Sequence, residues 1–225
     1  MKKVGIIGGL APQSTTLLYS EIVRLCQQRE KIQYPSMLIN SLNLWEVVSL
    51  LDDKNALIQL FETEIQKIQD YVDFIVIPCN TVHFIFEEIR ARTKVPILGI
   101  HEEVAKVMAT SGVKKVGILG TKTTVYNKFY QTVLGKNSIE CAILDDKDEL
   151  ELNAMIFDKM VYGKNYSEMH DLLKKDIGIL TQAGCDGVIL GCTELPLFIT
   201  QAEVDIMLFP STQILAASVV QRVFS

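Results

Sequence analysis

The sequence predicts an α/β fold made of two similar parallel-sheet units. Three observations carry this. Short apolar, β-branched runs alternate with longer stretches of helical periodicity, as expected of strands covered by helices on both faces. The phrase VGIIGG at 4–9 returns as VGILGT at 116–121. The phrase IVIPCNT at 75–81 returns as VILGCT at 188–193. The two offsets, 112 and 113 residues, are nearly constant, so the chain reads as two copies of one α/β unit.

The elements follow in order. Residues 3–7 (KVGII) read as a buried strand. A helix over 14–30 places Leu18, Ile22 and Leu25 on one face. Residues 37–40 (MLIN) form a second strand, and 55–71 a helix with Leu57, Phe61, Ile65 and Ile68 inward. Residues 74–77 (FIVI) and 96–100 (PILGI) are strands, and 102–110 a helix. The pattern then restarts with a strand at 115–119 (KVGIL), and Cys141 falls in another strand. The acidic run 145–149 reads as a solvated loop and helix start. A helix over 166–182 turns Met169, Leu172, Leu173, Ile177 and Leu180 inward. Residues 187–190 (GVIL) and 207–209 are strands, the latter before a last helix. The expected domains are 1–100 with the C-terminal helix 211–225, and 101–210.

Composition narrows the function. Of 225 residues, 48% are hydrophobic and 22% charged, enough for a core without disulfide or metal staples. The net charge of −5 and the absence of a basic block argue against general nucleic-acid binding. Any anion site must therefore be built locally. No apolar run reaches the ~18 residues of a membrane span. The start, Met1-Lys2-Lys3 before a short glycine-containing apolar run, does not read as a secretory signal. Five cysteines cannot all pair with one another. The expectation is a reduced, cytoplasmic protein.

Two cysteines stand apart. Cys79 follows the strand 74–77, and Cys192 follows the strand 187–190. Each lies at the carboxyl end of a parallel strand, where open α/β sheets bind ligands. A helix starting just beyond would favour thiolate and could hold a carboxylate on its free N–H groups. Asn80, Thr81 and Thr193 add short polar donors. If a pseudo-two-fold relates the halves, a ligand between the turns has one sulfur on each face. That suits removal of a proton from one side of a carbon and its return from the other, without a cofactor. Cys26, Cys141 and Cys185 read as packing residues. With three histidines and no Cys-x-x-Cys, no metal site is expected. His83 and Glu194 could tune the thiols or serve as surface and capping groups. His101 and His170 carry no motif.

These residues resemble the aspartate/glutamate racemases that work without pyridoxal phosphate. The resemblance rests on Gly8-Gly9-Leu10-Ala11-Pro12-Gln13-Ser14-Thr15, on Pro78-Cys79-Asn80-Thr81-Val82-His83, and on Gly191-Cys192-Thr193-Glu194-Leu195-Pro196-Leu197. It covers essentially the whole chain and is nearest to the aspartate-racemase branch. It implies two flavodoxin-like domains related by a pseudo-two-fold, with the active site in the cleft between them. It implies Cys79 and Cys192 as the acid–base pair, and Asn80, Thr81 and Thr193 holding the substrate's α-carboxylate. Leu10 lines the site, and Lys164 meets the side-chain carboxylate. No cofactor is implied; the partners are a small amino-acid substrate and a second copy in a homodimer, with no nucleic acid or membrane. Ala11, Asn43 and Pro210 depart from the family pattern, which carries glycine, aspartate and aspartate there. Hydantoin racemase, maleate isomerase and a non-catalytic small-molecule-binding module remain as alternatives.

Overall fold

The computed structural model describes residues 1–160 and 166–225, with 158–160 and 166 described by backbone alone. In chain order, the first half runs β1 (Val4–Gly8), α1 (Pro12–Gln27), β2 (Met37–Ser41), α2 (Leu44–Ser49), α3 (Lys54–Gln66), β3 (Phe74–Val76), α4 (Phe86–Arg90), β4 (Ile97–Leu98) and α5 (Ile100–Ser111). The second runs β5 (Lys115–Leu119), α6 (Lys122–Tyr126), α7 (Phe129–Gly135), β6 (Glu140–Ala142), α8 (Asp146–Ala154), α9 (Tyr166–Gln182), β7 (Gly187–Leu190), β8 (Met207–Pro210) and α10 (Ser211–Val223). The strands form two parallel four-stranded sheets of the same order, β2-β1-β3-β4 and β6-β5-β7-β8. The chain divides into one unit of Met1–Glu103 with Thr212–Ser225 and another of Val104–Ser211.

In the first unit the strand period of two splits the core. Val4, Ile6, Phe74 and Val76 face one way, onto Leu18 and Ile22 of α1 and Leu215 and Val219 of α10. Ile7, Ile75 and Ile77 face the other way, onto Leu57, Phe61 and Ile65 of α3 and Ile89 of α4. Both faces of the central strands are thus dry, which is why those strands read as unbroken apolar runs.

In the second unit Leu119, Val188 and Leu190 pack with Leu152 of α8 and Leu172, Leu173, Ile177 and Leu180 of α9. Lys175 of α9 bridges to Asp148 at 2.8 Å and Glu151 at 2.9 Å on α8. Glu149 and Asp176 are buried, and no hydrogen bond from the described residues reaches either carboxyl. Burial pushes both pKa values up to about 7, and for Asp176 the neighbouring Asp148, Glu151 and Glu149 add to the rise while Lys175 opposes it.

Folding therefore retains protons on Glu149 and Asp176 that the unfolded chain releases above its ordinary carboxyl pKa of ~4. Where the folded state binds more protons, stability falls as pH rises. The loss runs from about pH 4 and is complete above pH 7. Glu149→Gln and Asp176→Asn remain neutral throughout. Each should gain on the parent as pH rises, by ~1–3 kcal/mol at pH 8, in urea unfolding followed by circular dichroism. An advantage independent of pH would contradict this.

Candidate active site

Strands β1 and β3 are neighbours with Val4 opposite Phe74, Gly5 opposite Ile75 and Ile6 opposite Val76. From β1 the chain moves to β2 on one side of the sheet, while β3 lies on the other. The turns after β1 and β3 consequently emerge side by side at the point where the strand order reverses, the usual ligand crevice of such sheets.

The turn after β1 needs its glycines. A Cβ on Gly8 would strike the side chain of Thr15, and one on Gly9, at φ +84°, would overlap the Leu42 backbone. The Gly9 N–H donates to Thr15 Oγ1 at 2.9 Å, tying the turn to α1. Leu10 is buried in the same apolar cluster as Cys79 and Val82. Ala11 takes φ +81°, a conformation that favours glycine.

The turn after β3 presents Cys79, 9% exposed, followed by buried Asn80 and half-buried Thr81. The Cys79 N–H donates to the Ile77 carbonyl at 2.9 Å. Its carbonyl lies 2.7 Å from His83 Nδ1. A carbonyl can only accept, so Nδ1 carries the proton. Nε2 is then the acceptor for the Ile100 N–H at 3.2 Å. Burial, with the neighbouring His101, pushes the His83 pKa down to about 3. His83 is thus a neutral brace between the cysteine turn and the start of α5. Its ring stacks on Phe86 with centroids 5.2 Å apart.

The second unit repeats the arrangement. Gly117 lies opposite Val188 and Leu119 opposite Leu190, so the Gly120-Thr121 turn emerges beside Gly191-Cys192-Thr193. The Gly191 N–H donates to the Leu119 carbonyl at 2.6 Å, and Ser211 Oγ to the Leu190 carbonyl at 2.8 Å. Thr121 caps α6, accepting from the Thr124 N–H at 3.3 Å. Cys192 is partly exposed, while Thr193 and Glu194 are buried. Burial pushes the Glu194 pKa up to about 7, and its Oε1 has no hydrogen-bond partner among the described residues.

Each unit therefore gathers the residues expected of it: Leu10, Cys79, Asn80 and Thr81 in the first, Cys192 and Thr193 in the second. Lys164 lies outside the described residues. The expected α-helix N-termini are instead the short 3-10 turns Thr81–Ile85 and Leu195–Leu197. Such short turns sum little dipole. Sequence reasoning assigned no role to Thr121 or Ser211. The repeat of VGIIGG as VGILGT pointed at Thr121; nothing local marked Ser211, whose partner lies 21 residues away. Cys26 and Cys185 are buried and Cys141 is partly so. Burial pushes all three thiols up, Cys141 to about 11, leaving them inert. Among the described residues no group of three or more His, Cys, Asp or Glu could hold a metal.

Comparison with known proteins agrees in kind. A family model described as Asp/Glu/Hydantoin racemase matches residues 7–219. The Bacillus subtilis protein named broad specificity amino-acid racemase RacX is 28% identical over 222 residues, 96% of each chain. The crystal structure of an aspartate racemase homologue from Pyrococcus horikoshii OT3 is 30% identical, with a TM-score of 0.86 over 100% of both chains. An aspartate racemase from Picrophilus torridus shares the fold, at 23% identity and a TM-score of 0.80 over 100% of this chain and 95% of that one.

Two local predictions follow from the turn geometry. His83→Leu leaves the Cys79 carbonyl and Ile100 N–H without their ring partner in a dry site, and should cost ~2–4 kcal/mol in denaturant unfolding. Nitrogen NMR of the parent should show an Nδ1–H imidazole that does not titrate between about pH 5 and 8. Ala11→Gly relieves the positive φ and should be neutral or stabilising by up to ~1 kcal/mol; a clear destabilisation would refute the strain.

Proposed function

The chain belongs to the Asp/Glu/hydantoin racemase family, and from that premise we propose that it interconverts L- and D-aspartate, L- and D-glutamate, or both, without a cofactor. As a member of a racemase family it is an isomerase. The observation that supports the two-thiol reading is the topological equivalence of Cys79 and Cys192. Each follows the third strand of its sheet at the reversal of strand order.

In the proposed reaction one sulfur is thiolate and the other thiol. The thiolate takes the α-proton, and the C–H electron pair delocalises into the neighbouring carboxylate. The opposite thiol then delivers its proton to the other face of the carbon. The thiol and thiolate have exchanged places, and the reverse reaction uses them in the swapped roles. The developing negative charge on the carboxylate is stabilised by the N–H groups of the cysteine turns and by Asn80, Thr81 and Thr193. Leu10 excludes water, and Lys164 pairs with the side-chain carboxylate. The functional halves are 1–100 with 211–225, and 101–210, each supplying one thiol. Thiols that must stay reduced suit the cytoplasm.

A broader substrate range is the second reading. It is favoured by the whole-length similarity to a protein named for broad specificity, and by Asn43 and Pro210, which stand where the family pattern carries acidic residues.

Incubation with single amino acids in D₂O should give α-deuteration together with the opposite enantiomer, for aspartate or glutamate first in a panel. Cys79→Ala and Cys192→Ala should each cut racemisation by ~10²–10⁴-fold or more with the fold intact. Thermal shifts with nucleotides, and no exchange on any amino acid, would instead indicate a binding protein.

A further inference from the structure

In both units the strand beside the cysteine turn leads into a helix, β4 into α5 and β8 into α10. The junction falls at Ile100 in the first unit and at Ser211 in the second. In the first unit His83 spans turn and junction. Its Nδ1 lies 2.7 Å from the Cys79 carbonyl, and its Nε2 accepts from the Ile100 N–H at 3.2 Å. In the second unit Thr193-Glu194-Leu195-Pro196-Leu197 follows Cys192, with no histidine. There the junction reaches the cysteine turn through its own side chain.

Ser211 Oγ donates to the Leu190 carbonyl at 2.8 Å. That carbonyl and the Gly191 N–H are the two ends of one planar peptide group. The N–H donates to the Leu119 carbonyl at 2.6 Å. The plane is thus held at both ends, and a single residue, Gly191, separates it from Cys192. Glycine allows a wide range of backbone angles, so a held plane in front of it narrows the positions open to the sulfur.

The serine is itself held. Tyr130 hydrogen-bonds to Ser211. A hydroxyl has one proton, and that of Ser211 goes to Leu190. The Tyr130 hydroxyl is therefore the donor and Ser211 Oγ the acceptor. Tyr130 and Ser211 are both fully buried. Burial pushes the Tyr130 pKa above the ordinary phenol value, so the donor keeps its proton at any working pH. The helix that carries it is fixed as well. The chain enters α7 through Lys128 at φ +59°, and Gln131 Nε2 donates to the Val125 carbonyl at 2.9 Å.

We propose that Tyr130 and Ser211 are positioning residues for Cys192, two hydroxyls in series that do for the second cysteine turn what the His83 imidazole does for the first. Both are covered, so neither meets a ligand. Their effect on turnover rests on the two-thiol reading above; their effect on the placement of the sulfur does not.

The test alkylates the parent, Tyr130→Phe, Ser211→Ala and the double variant with iodoacetamide at fixed pH, without substrate. Mass spectrometry of the digest reads Cys79 and Cys192 separately in each sample. Ser211→Ala should speed alkylation of Cys192 by ~5-fold or more, because a plane released at one end opens a partly exposed thiol further, and leave Cys79 within ~2-fold of the parent. Tyr130→Phe keeps the ring in place and should act in the same direction by ~2-fold or more; it carries the test if Ser211→Ala does not fold. The double variant should match Ser211→Ala, because the tyrosine acts through the serine. An unchanged Cys192, an equal change at both thiols, or effects that multiply in the double variant would overturn the proposal. On a racemised amino acid the single variants should lose ~10–10²-fold in kcat with KM within ~3-fold; an unchanged kcat would overturn it too. A protein that racemises nothing yet shows the alkylation pattern would overturn the reaction and leave the positioning.

Discussion

Both cysteine turns depend on the register between the two central strands of each sheet. Ile6 beside Val76, and Leu119 beside Leu190, decide which turn meets which. A slip of one residue would turn every strand side chain to the opposite face. Ile75 and Ile77 would leave the α3 side of the core, and Cys79 would no longer share a cluster with Leu10. The apolar alternation that builds the core is thus the same constraint that aims the thiols. The close approach of the turns then leaves no room for side chains: a Cβ on Gly191 would press on the Leu119 carbonyl, and one on Gly120 on Gly191. Glycine is required there for space, whatever the backbone angles.

The strongly periodic elements were legible from the residues alone. The strand 115–119, the helix 166–182 and the strand 187–190 lie where the pattern puts them. The resemblance, not periodicity, supplied the family. Other elements were hidden for physical reasons. Leu44–Ser49, Lys122–Tyr126 and Phe129–Gly135 are helices of five to seven residues, too short to show a full amphipathic repeat. The helix expected over 55–71 ends at Gln66 and resumes as a 3-10 turn at Gln69–Tyr71, although Ile68 stays buried with the same core. The role of His83 was illegible because its two partners are backbone groups, one of them 17 residues away. No side-chain pattern records such a bond.

Charge is handled by neutralisation as much as by pairing. Glu149, Asp176 and Glu194 are all buried, with pKa values pushed up to about 7 by loss of water. Glu194 directly follows Thr193 and lies two residues from Cys192. A carboxyl whose ionisation is held back there repels a thiolate or an anionic ligand less than an ordinary carboxylate would. The same burial that costs folding energy therefore lightens the negative field that a net charge of −5 would otherwise impose.

The two cysteine turns share a topology but not a bracing. Cys79 is held by an imidazole on its carbonyl and is nearly covered. Cys192 follows a strand end held by a serine hydroxyl and is more open. Two enantiomers have equal free energy in water, so for a racemase the Haldane relation fixes kcat/KM as equal in the two directions. The inequality of the thiols cannot favour either product. It can appear only as unequal kcat values matched by unequal KM values, so that the enantiomer turned over faster also has the higher KM, in the same proportion.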